Sequence, residues 1–141
     1  MNDQTPTRSH DKTLLTNLEL AVMRVVWGAA PDPLTVRDVV ERLNQGRRKP
    51  LAYNTVQTML TILKEKGVVE VAQGPGRAHR FRSRVSQKEV STSMVGDLVE
   101  RLFDGKVSPL LVQLVGSEAM NRNELEQLKD LIDNQLDDEE A

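Results

Sequence analysis

The polar side chains between residues 53 and 66 are of the types, and at the spacing, that suit contact with nucleic acid. Asn54 and Gln57 carry amides, and an amide can form two hydrogen bonds with the edge of an adenine. Threonine hydroxyls can donate or accept a hydrogen bond, threonine methyls suit the methyl of thymine, and Lys64 can bind a phosphate. This combination predicts direct contact with the bases of double-stranded DNA.

The same segment has the pattern of an amphipathic helix, which would hold these polar groups on one face. Its apolar residues recur at the spacing i, i+3, i+4 and i+7, at Val56, Met59, Leu60 and Leu63. Gly67 is expected to end the helix in the left-handed conformation. A polar face and a basic end, after a shorter helix, are typical of the second helix of a helix-turn-helix. A surface helix of an ordinary bundle is the alternative.

Two basic clusters flank this helix and suit contact with phosphates. One lies in the preceding loop and contains Arg47, Arg48 and Lys49. The other follows the helix and places four arginines within eight residues, at Arg77, Arg80, Arg82 and Arg84. Solvation of an exposed loop is the alternative for both, whereas phosphate contact would make DNA affinity fall steeply with salt. The complete set of predicted DNA contacts is Arg47, Arg48, Lys49, Tyr53, Asn54, Thr55, Gln57, Thr58, Thr61, Lys64, Arg77, Arg80 and Arg82.

Charge is distributed unevenly along the chain. Residues 1–84 contain 14 Lys and Arg against 8 Asp and Glu, a net charge of +6. Residues 85–141 contain 5 against 13, a net charge of −8, so the total of −2 hides two opposite halves. This asymmetry predicts a polyanion-binding module joined to a region that stays away from the polyanion.

The elements around the helix predict a winged helix-turn-helix over residues 14–84. A capping box at Thr16 and Glu19 begins a first helix, and Thr35 begins a short second one. After the DNA-contacting helix the period changes from 3.6 to 2, which predicts strands over 68–72 and 78–84. This hairpin would be the wing, with Phe81 inward and the arginines outward. The expected fold is therefore mainly α with a small β-hairpin.

Residues 85–136 are predicted to form a helical dimerisation domain. A capping box at Ser86 begins a helix to about Phe103, Ser108-Pro109 begins a short helix, and Asn121 begins the last one. A winged-helix core of about 80 residues closes without these helices, so their apolar stripes need a second copy to cover them. Folding back on the wing is the alternative. The predicted dimer contacts are Leu98, Leu102, Leu110, Leu111, Leu114, Leu125, Leu128, Leu131 and Ile132.

Composition excludes several other classes of protein. The absence of cysteine rules out disulfides and thiolate metal sites, and no apolar run approaches the ~20 residues of a membrane span. Residues 1–13 are predicted to be a disordered arm without the apolar stretch of a secretory signal, and cytoplasmic residence is expected. Residues 137–141 are predicted to be an acidic tail. Neither His10 nor His79 lies in a catalytic or metal-binding motif, so we expect no enzyme, cofactor or metal.

Four motifs resemble the penicillinase-repressor (BlaI/MecI) family. They are Thr16-x-x-Glu19-x-x-Val22-Met23-x-x-x-Trp27, Thr35-Val36-Arg37-Asp38-Val39, the run Leu51–Leu60, and Leu63-x-x-Lys66-Gly67. The resemblance extends from about residue 14 to about residue 136, which is nearly the whole chain. Its most specific part is the run Leu51–Leu60 followed by Lys66-Gly67.

The resemblance implies an N-terminal winged helix, a C-terminal dimerisation region, and a homodimer that represses transcription from a palindromic operator. Several members are inactivated when a membrane-bound sensor protease triggers cleavage in the dimerisation region, typically between Asn and Phe. This chain has Gln113-Leu114 at the corresponding position, so it departs from that pattern. A copper-responsive branch has a C-terminal cysteine motif, which this chain lacks.

Two other functions remain open on the sequence. The first is a winged-helix regulator that is induced directly by a small ligand in the dimer cleft, which predicts DNA binding sensitive to metabolites without chain cleavage. The second is a winged-helix module that docks a partner protein, which predicts weak and salt-insensitive DNA binding. The 9 basic against 2 acidic residues of the segment 47–84 argue against the second.

Overall fold

The computed structural model describes residues 14–140, and the predicted arm of residues 1–13 lies outside this range. The elements in chain order are α1 (Asn17–Ala29), β1 (Leu34–Thr35), α2 (Val36–Asn44), α3 (Tyr53–Glu65), β2 (Val69–Ala72), β3 (Arg80–Ser83), α4 (Gln87–Leu102), α5 (Val107–Gly116) and α6 (Arg122–Glu140). They form two compact units, divided within α4 between Val95 and Gly96. The predicted fold, mainly helical with a small β-hairpin, is confirmed.

Four of the described helices, α1, α2, α4 and α6, begin with capping boxes at the starts that the sequence predicted. At α1, the Glu19 N–H donates to Thr16 Oγ1 (3.2 Å), and the Thr16 N–H donates to Glu19 Oε1 (2.8 Å). Thr35 and Asp38 exchange the same pair of hydrogen bonds at α2, each 3.0 Å long. Equivalent boxes begin α4 and α6, at Ser86 with Glu89 and at Asn121 with Glu124. Each box satisfies backbone N–H groups that have no partner within the helix.

Helix α3 ends in a Schellman turn at the glycine that the sequence predicted. Gly67 has a φ of +79°, where a side chain would be strained. The Gly67 N–H donates to the Lys64 carbonyl (3.0 Å), and the Val68 N–H donates to the Leu63 carbonyl (2.9 Å). Because strand β2 begins two residues later, this turn joins α3 directly to the wing.

The wing is the hairpin of β2 and β3, residues 69–83, and it pairs with a third strand that the sequence did not predict. Strand β3 is central, with β1 and β2 antiparallel on either side. Phe81 pairs with Leu34 of β1 and with Val71 of β2. At two residues, β1 is too short to show a period-2 pattern. It attaches the wing to the segment that leads into α2.

One apolar core fixes α3 against α1, α2, the sheet and the beginning of α4. Its least exposed side chains are Val22, Met23, Val26, Val39, Val56, Leu60, Leu63, Val68, Val69 and Val90. Burying an aliphatic side chain of this size contributes about 1.5–3 kcal/mol. Trp27 also joins α1 to the chain after the wing, because its Nε1 donates to the Val85 carbonyl (3.0 Å).

The second unit begins at Gly96, and two of its helices differ from the predicted bounds. Helix α5 begins at Val107 with Lys106 as its N-cap, so the predicted start at Ser108 was wrong. Pro109 therefore lies in the first turn, where its missing N–H has no helical partner to lose. Helix α6 continues to Glu140, because no glycine or proline interrupts residues 122–140, so the residues predicted as an acidic tail are helical up to that point.

Among the described residues, no helix is long and apolar enough to cross a membrane.

Candidate nucleic-acid interface

Helix α3 presents the predicted polar face to solvent. The predicted DNA contacts on this helix are all exposed, at Tyr53, Asn54, Thr55, Gln57, Thr58, Thr61 and Lys64. On the opposite side, Val56, Leu60 and Leu63 are fully buried, and this fixes the rotation of the helix about its axis. The Thr61 hydroxyl donates to the Gln57 carbonyl (3.0 Å). Its proton is therefore engaged, and its oxygen remains able to accept a hydrogen bond.

A groove of about 640 Å³ separates α3 from the wing. One wall is a stripe of α3 at the spacing i, i+4, i+8 and i+11, and the others are the wing and the beginning of α2. The lining residues are Thr35, Val36, Arg37, Tyr53, Gln57, Thr61, Lys64, Val71, Ala78, His79 and Phe81. The lining contains Arg37, Lys64 and His79 but no acid. We call it the α3–wing groove.

On the wing, Arg82 and Arg84 share one acidic partner. Arg82 Nε lies 2.7 Å from Glu70 Oε2, and Arg84 Nε lies 3.8 Å from Glu70 Oε1. Glu70 is the Cα partner of Arg82 across the hairpin, so the three side chains lie on one face of it. These arginines are exposed, as predicted, but a phosphate would have to compete with Glu70 for them.

Arg80 departs from the prediction that the wing arginines point outward. It is half-buried, and its Nη1 donates to the Pro75 carbonyl at the wing turn. A Cβ at Gly74 would lie 2.7 Å from Arg80 Cδ, so the arginine stem occupies the space that the glycine leaves. Arg80 therefore packs against the wing turn and bonds to its backbone, whereas Arg77, in that turn, is exposed.

The basic loop before α3 is exposed at Arg47, Arg48 and Lys49, as predicted. Asn44 bridges the two ends of this loop, a role that the sequence did not predict. Asn44 Nδ2 donates to the Leu51 carbonyl (3.0 Å), and the Leu51 N–H donates to Asn44 Oδ1 (2.8 Å). These two hydrogen bonds fix the connection between the helices of the helix-turn-helix.

A partly buried ion pair connects the end of α3 to the beginning of α1. Glu19 is only 3% exposed, and its Oε1 lies 2.9 Å from Lys66 Nζ. Burial raises the pKa of Glu19, but hydrogen bonds from the Thr16 N–H and from Lys66 outweigh it, so the pKa lies below its ordinary value. The pair therefore holds the C-terminal end of α3 in a charged, hydrogen-bonded contact.

The predicted dimer contacts differ in exposure within the described chain. Six are exposed, at Leu98, Leu102, Leu111, Leu114, Leu131 and Ile132, and three are half-buried, at Leu110, Leu125 and Leu128. Gln113 and Leu114, the predicted cleavage position, are both exposed within α5. Within residues 14–140, no group of three or more His, Asp or Glu is placed to hold a metal ion.

Comparison with known proteins finds relatives over most of the chain. The family model described as Penicillinase repressor matches residues 15–134. A Transcriptional regulator BlaI of Mycobacterium tuberculosis is 36% identical over 104 residues, which are 73% of this chain and 72% of that protein. A Penicillinase repressor of Staphylococcus aureus is 19% identical over 114 residues, which are 81% of this chain and 86% of that protein.

Proposed function

This chain belongs to the penicillinase repressor family and is a DNA-binding transcriptional repressor, and we propose that it acts as a homodimer on a palindromic operator. In this mechanism the dimer occupies the promoter and excludes the polymerase. Binding, and not catalysis, is its activity. We also propose that it acts in the cytoplasm, where a bacterial promoter would be accessible to it.

The polar face of α3 is the observation that carries the proposal. Its 13 residues would span about 20 Å, and the major groove of B-DNA is about 12 Å wide, which is enough for a helix. The buried side of α3 fixes which side chains are exposed, so Asn54 and Gln57 would be available for bidentate contacts with bases. Each such contact contributes about 1–3 kcal/mol of discrimination against a wrong base. The exposed basic loop and the wing would contact phosphates on either side.

Exposed apolar side chains in the second unit support the homodimer. In α6, Leu131 is 63% exposed, Ile132 46% and Leu136 56%. Apolar stripes of this kind mark interaction surfaces, and a two-fold dimer covers the same stripe on both copies. A dimer would also place two copies of α3 on half-sites one helical turn apart, about 34–36 Å. The acidic charge of this half keeps it away from the DNA.

Cleavage between Gln113 and Leu114 would be a route to relief of repression, through a sensor-triggered protease as the partner. It would separate α6 from the DNA-binding unit and so remove part of the proposed dimer interface. Because both residues lie inside α5, a protease that takes an extended chain would require this helix to open locally. Direct induction by a small ligand is the competing mechanism, and intact chains after induction would favour it.

Selection from a random pool of duplex DNA tests the proposed function. The protein is bound at several salt concentrations, the retained DNA is sequenced, and the mass of the complex is measured by sedimentation. We expect an inverted repeat, two chains per duplex, and an affinity that falls steeply as salt rises. Enrichment of no sequence, with weak and salt-insensitive binding, would favour a module that docks a partner protein. A single half-site bound by one chain would overturn the homodimer.

A further inference from the structure

We propose that the α3–wing groove holds the backbone of one operator strand, that Arg37 and His79 contact its phosphates there, and that a proton on His79 strengthens the contact. The proposal rests on the proposed function, because it assumes that α3 contacts the bases of an operator. It adds two phosphate contacts that lie outside α3 and outside the arginine face of the wing.

The position of the groove suits the backbone of a DNA strand that is in contact with α3. Gln57, Thr61 and Lys64 line it from α3, and they belong to the face that would meet the bases. A strand whose bases lie against this face must run its backbone along one side of α3. On the wing side, that path is the groove. Its opposite wall brings His79 of the wing and Arg37 of α2 to the same path.

The charges that line the groove favour an anionic strand. Its lining has two permanent cations, Arg37 and Lys64, and no carboxylate. On the other face of the wing, Arg82 and Arg84 already interact with Glu70. A phosphate on that face has to displace a carboxylate, whereas a phosphate in the groove displaces only water and counterions. The groove is therefore the more favourable course for an anionic strand.

The proposed effect of a proton follows from the histidine side chain at residue 79, which lines the groove from the wing. Histidine is the side chain that ordinarily changes charge between pH 5 and 8, and a neighbouring phosphate favours its protonated form. The groove residues facing His79 are Arg37 from α2, Tyr53 and Lys64 from α3, and apolar side chains of the wing. Protonation of His79 would add one cation beside Arg37 and Lys64 on this path.

The test measures how the affinity of full-length protein for its selected operator depends on salt, at pH 8 and at pH 6. The slope of log affinity against log salt counts the phosphates neutralised, at about 0.9 per contact. We expect Arg37→Gln to lower this slope by about one unit, while Arg24→Gln, an exposed arginine of α1 outside the groove, leaves it unchanged. We expect the wild-type slope to be steeper at pH 6 than at pH 8, by up to about one unit.

The two histidines of the chain supply a matched pair for the pH effect. His79→Gln should remove the difference in slope between pH 6 and pH 8, and His10→Gln should keep it. A pH effect that survives His79→Gln, or a slope that Arg37→Gln leaves unchanged, would overturn the proposal. If wild-type protein selects no operator at all, the proposed function has failed. If it selects one and these slopes do not change, only the groove proposal has failed.

Discussion

Glu19 makes one contact that the sequence predicted and one that it did not. The spacing of Thr16 and Glu19 predicted a capping box, and both of its hydrogen bonds are present. The ion pair of Glu19 with Lys66 could not be predicted, because 47 residues separate the partners and no periodic pattern joins them. The same applies to Asn44, which closes the helix-turn-helix by bonding to the backbone at Leu51. Local spacing thus predicts caps, while contacts made by folding have no local signature.

We predict that Glu19→Gln destabilises the protein at neutral pH by about 1–3 kcal/mol, because it removes a buried carboxylate that pairs with Lys66. The matched control is Glu89→Gln, which changes the same position of an exposed capping box and should cost under about 1 kcal/mol. Because the folded protein lowers the pKa of Glu19, its stabilisation is present at neutral pH and is lost as the pH falls through the folded-state pKa.

Urea unfolding of both variants at neutral and acid pH measures this effect. The difference in stability between wild type and Glu19→Gln should shrink as the carboxylate becomes protonated. Equal losses from Glu19→Gln and Glu89→Gln at neutral pH would show that only the cap matters, and that the pair with Lys66 contributes nothing.

At the scale of elements, the strongest patterns were predicted and the weakest were missed. The apolar spacing of residues 56–63 and the glycine at 67 predicted both the face and the end of α3. Strand β1 was not predicted, because a strand of two residues is too short to show a periodic pattern. The start of α5 was misplaced because Ser108-Pro109 is a good cap and N1 pair, yet the helix begins two residues earlier, with Lys106 as its N-cap. The α3–wing groove was also missed, since it depends on how the wing packs beside α3.

We predict that Gly96→Ala stabilises the protein by about 0.5–1 kcal/mol, because Gly96 lies inside α4 and the added methyl meets no atom within 4 Å. Gly67→Ala is the opposing control. It also meets no atom within 4 Å, but its φ of +79° strains any side chain, so a loss of about 1 kcal/mol or more is expected. Thermal unfolding measures both. If both substitutions stabilised the protein, backbone conformation would not determine the sign of the change in stability.

At the scale of the whole molecule, the charge asymmetry predicts that the basic half binds DNA and that the acidic half stays away from it. The basic half, residues 1–84, contains the winged helix, and the acidic half, residues 85–141, contains α4, α5 and α6. The division into compact units falls after Val95, eleven residues beyond the predicted boundary at 84/85, because the beginning of α4 packs into the core of the winged helix through Val90. Hydrophobic periodicity predicts that a helix forms, and packing decides to which core it belongs.

We predict that Leu131→Asp converts the homodimer to a monomer and weakens operator binding, because it places a charge in the exposed apolar stripe of α6. Leu131 is a better test than Leu128, which is half-buried within its own chain and would risk unfolding. Asn123→Asp is the control, since it adds the same charge at an exposed position in the first turn of α6, about two turns from Leu131 and off the apolar stripe. Sedimentation gives the mass, and circular dichroism verifies the helical content. A dimer that persists in Leu131→Asp would place the interface elsewhere.

The most direct measurement of base contact by α3 is the affinity of Gln57→Ala for the selected operator and for each of its single-base variants. The predicted result is a loss of discrimination at one symmetric pair of positions, by about 1–3 kcal/mol, with discrimination elsewhere retained. Gln45→Ala, in the exposed loop before α3, should leave every position unchanged. An equal loss of affinity on all sequences, or none, would contradict base contact by Gln57 on the polar face of α3.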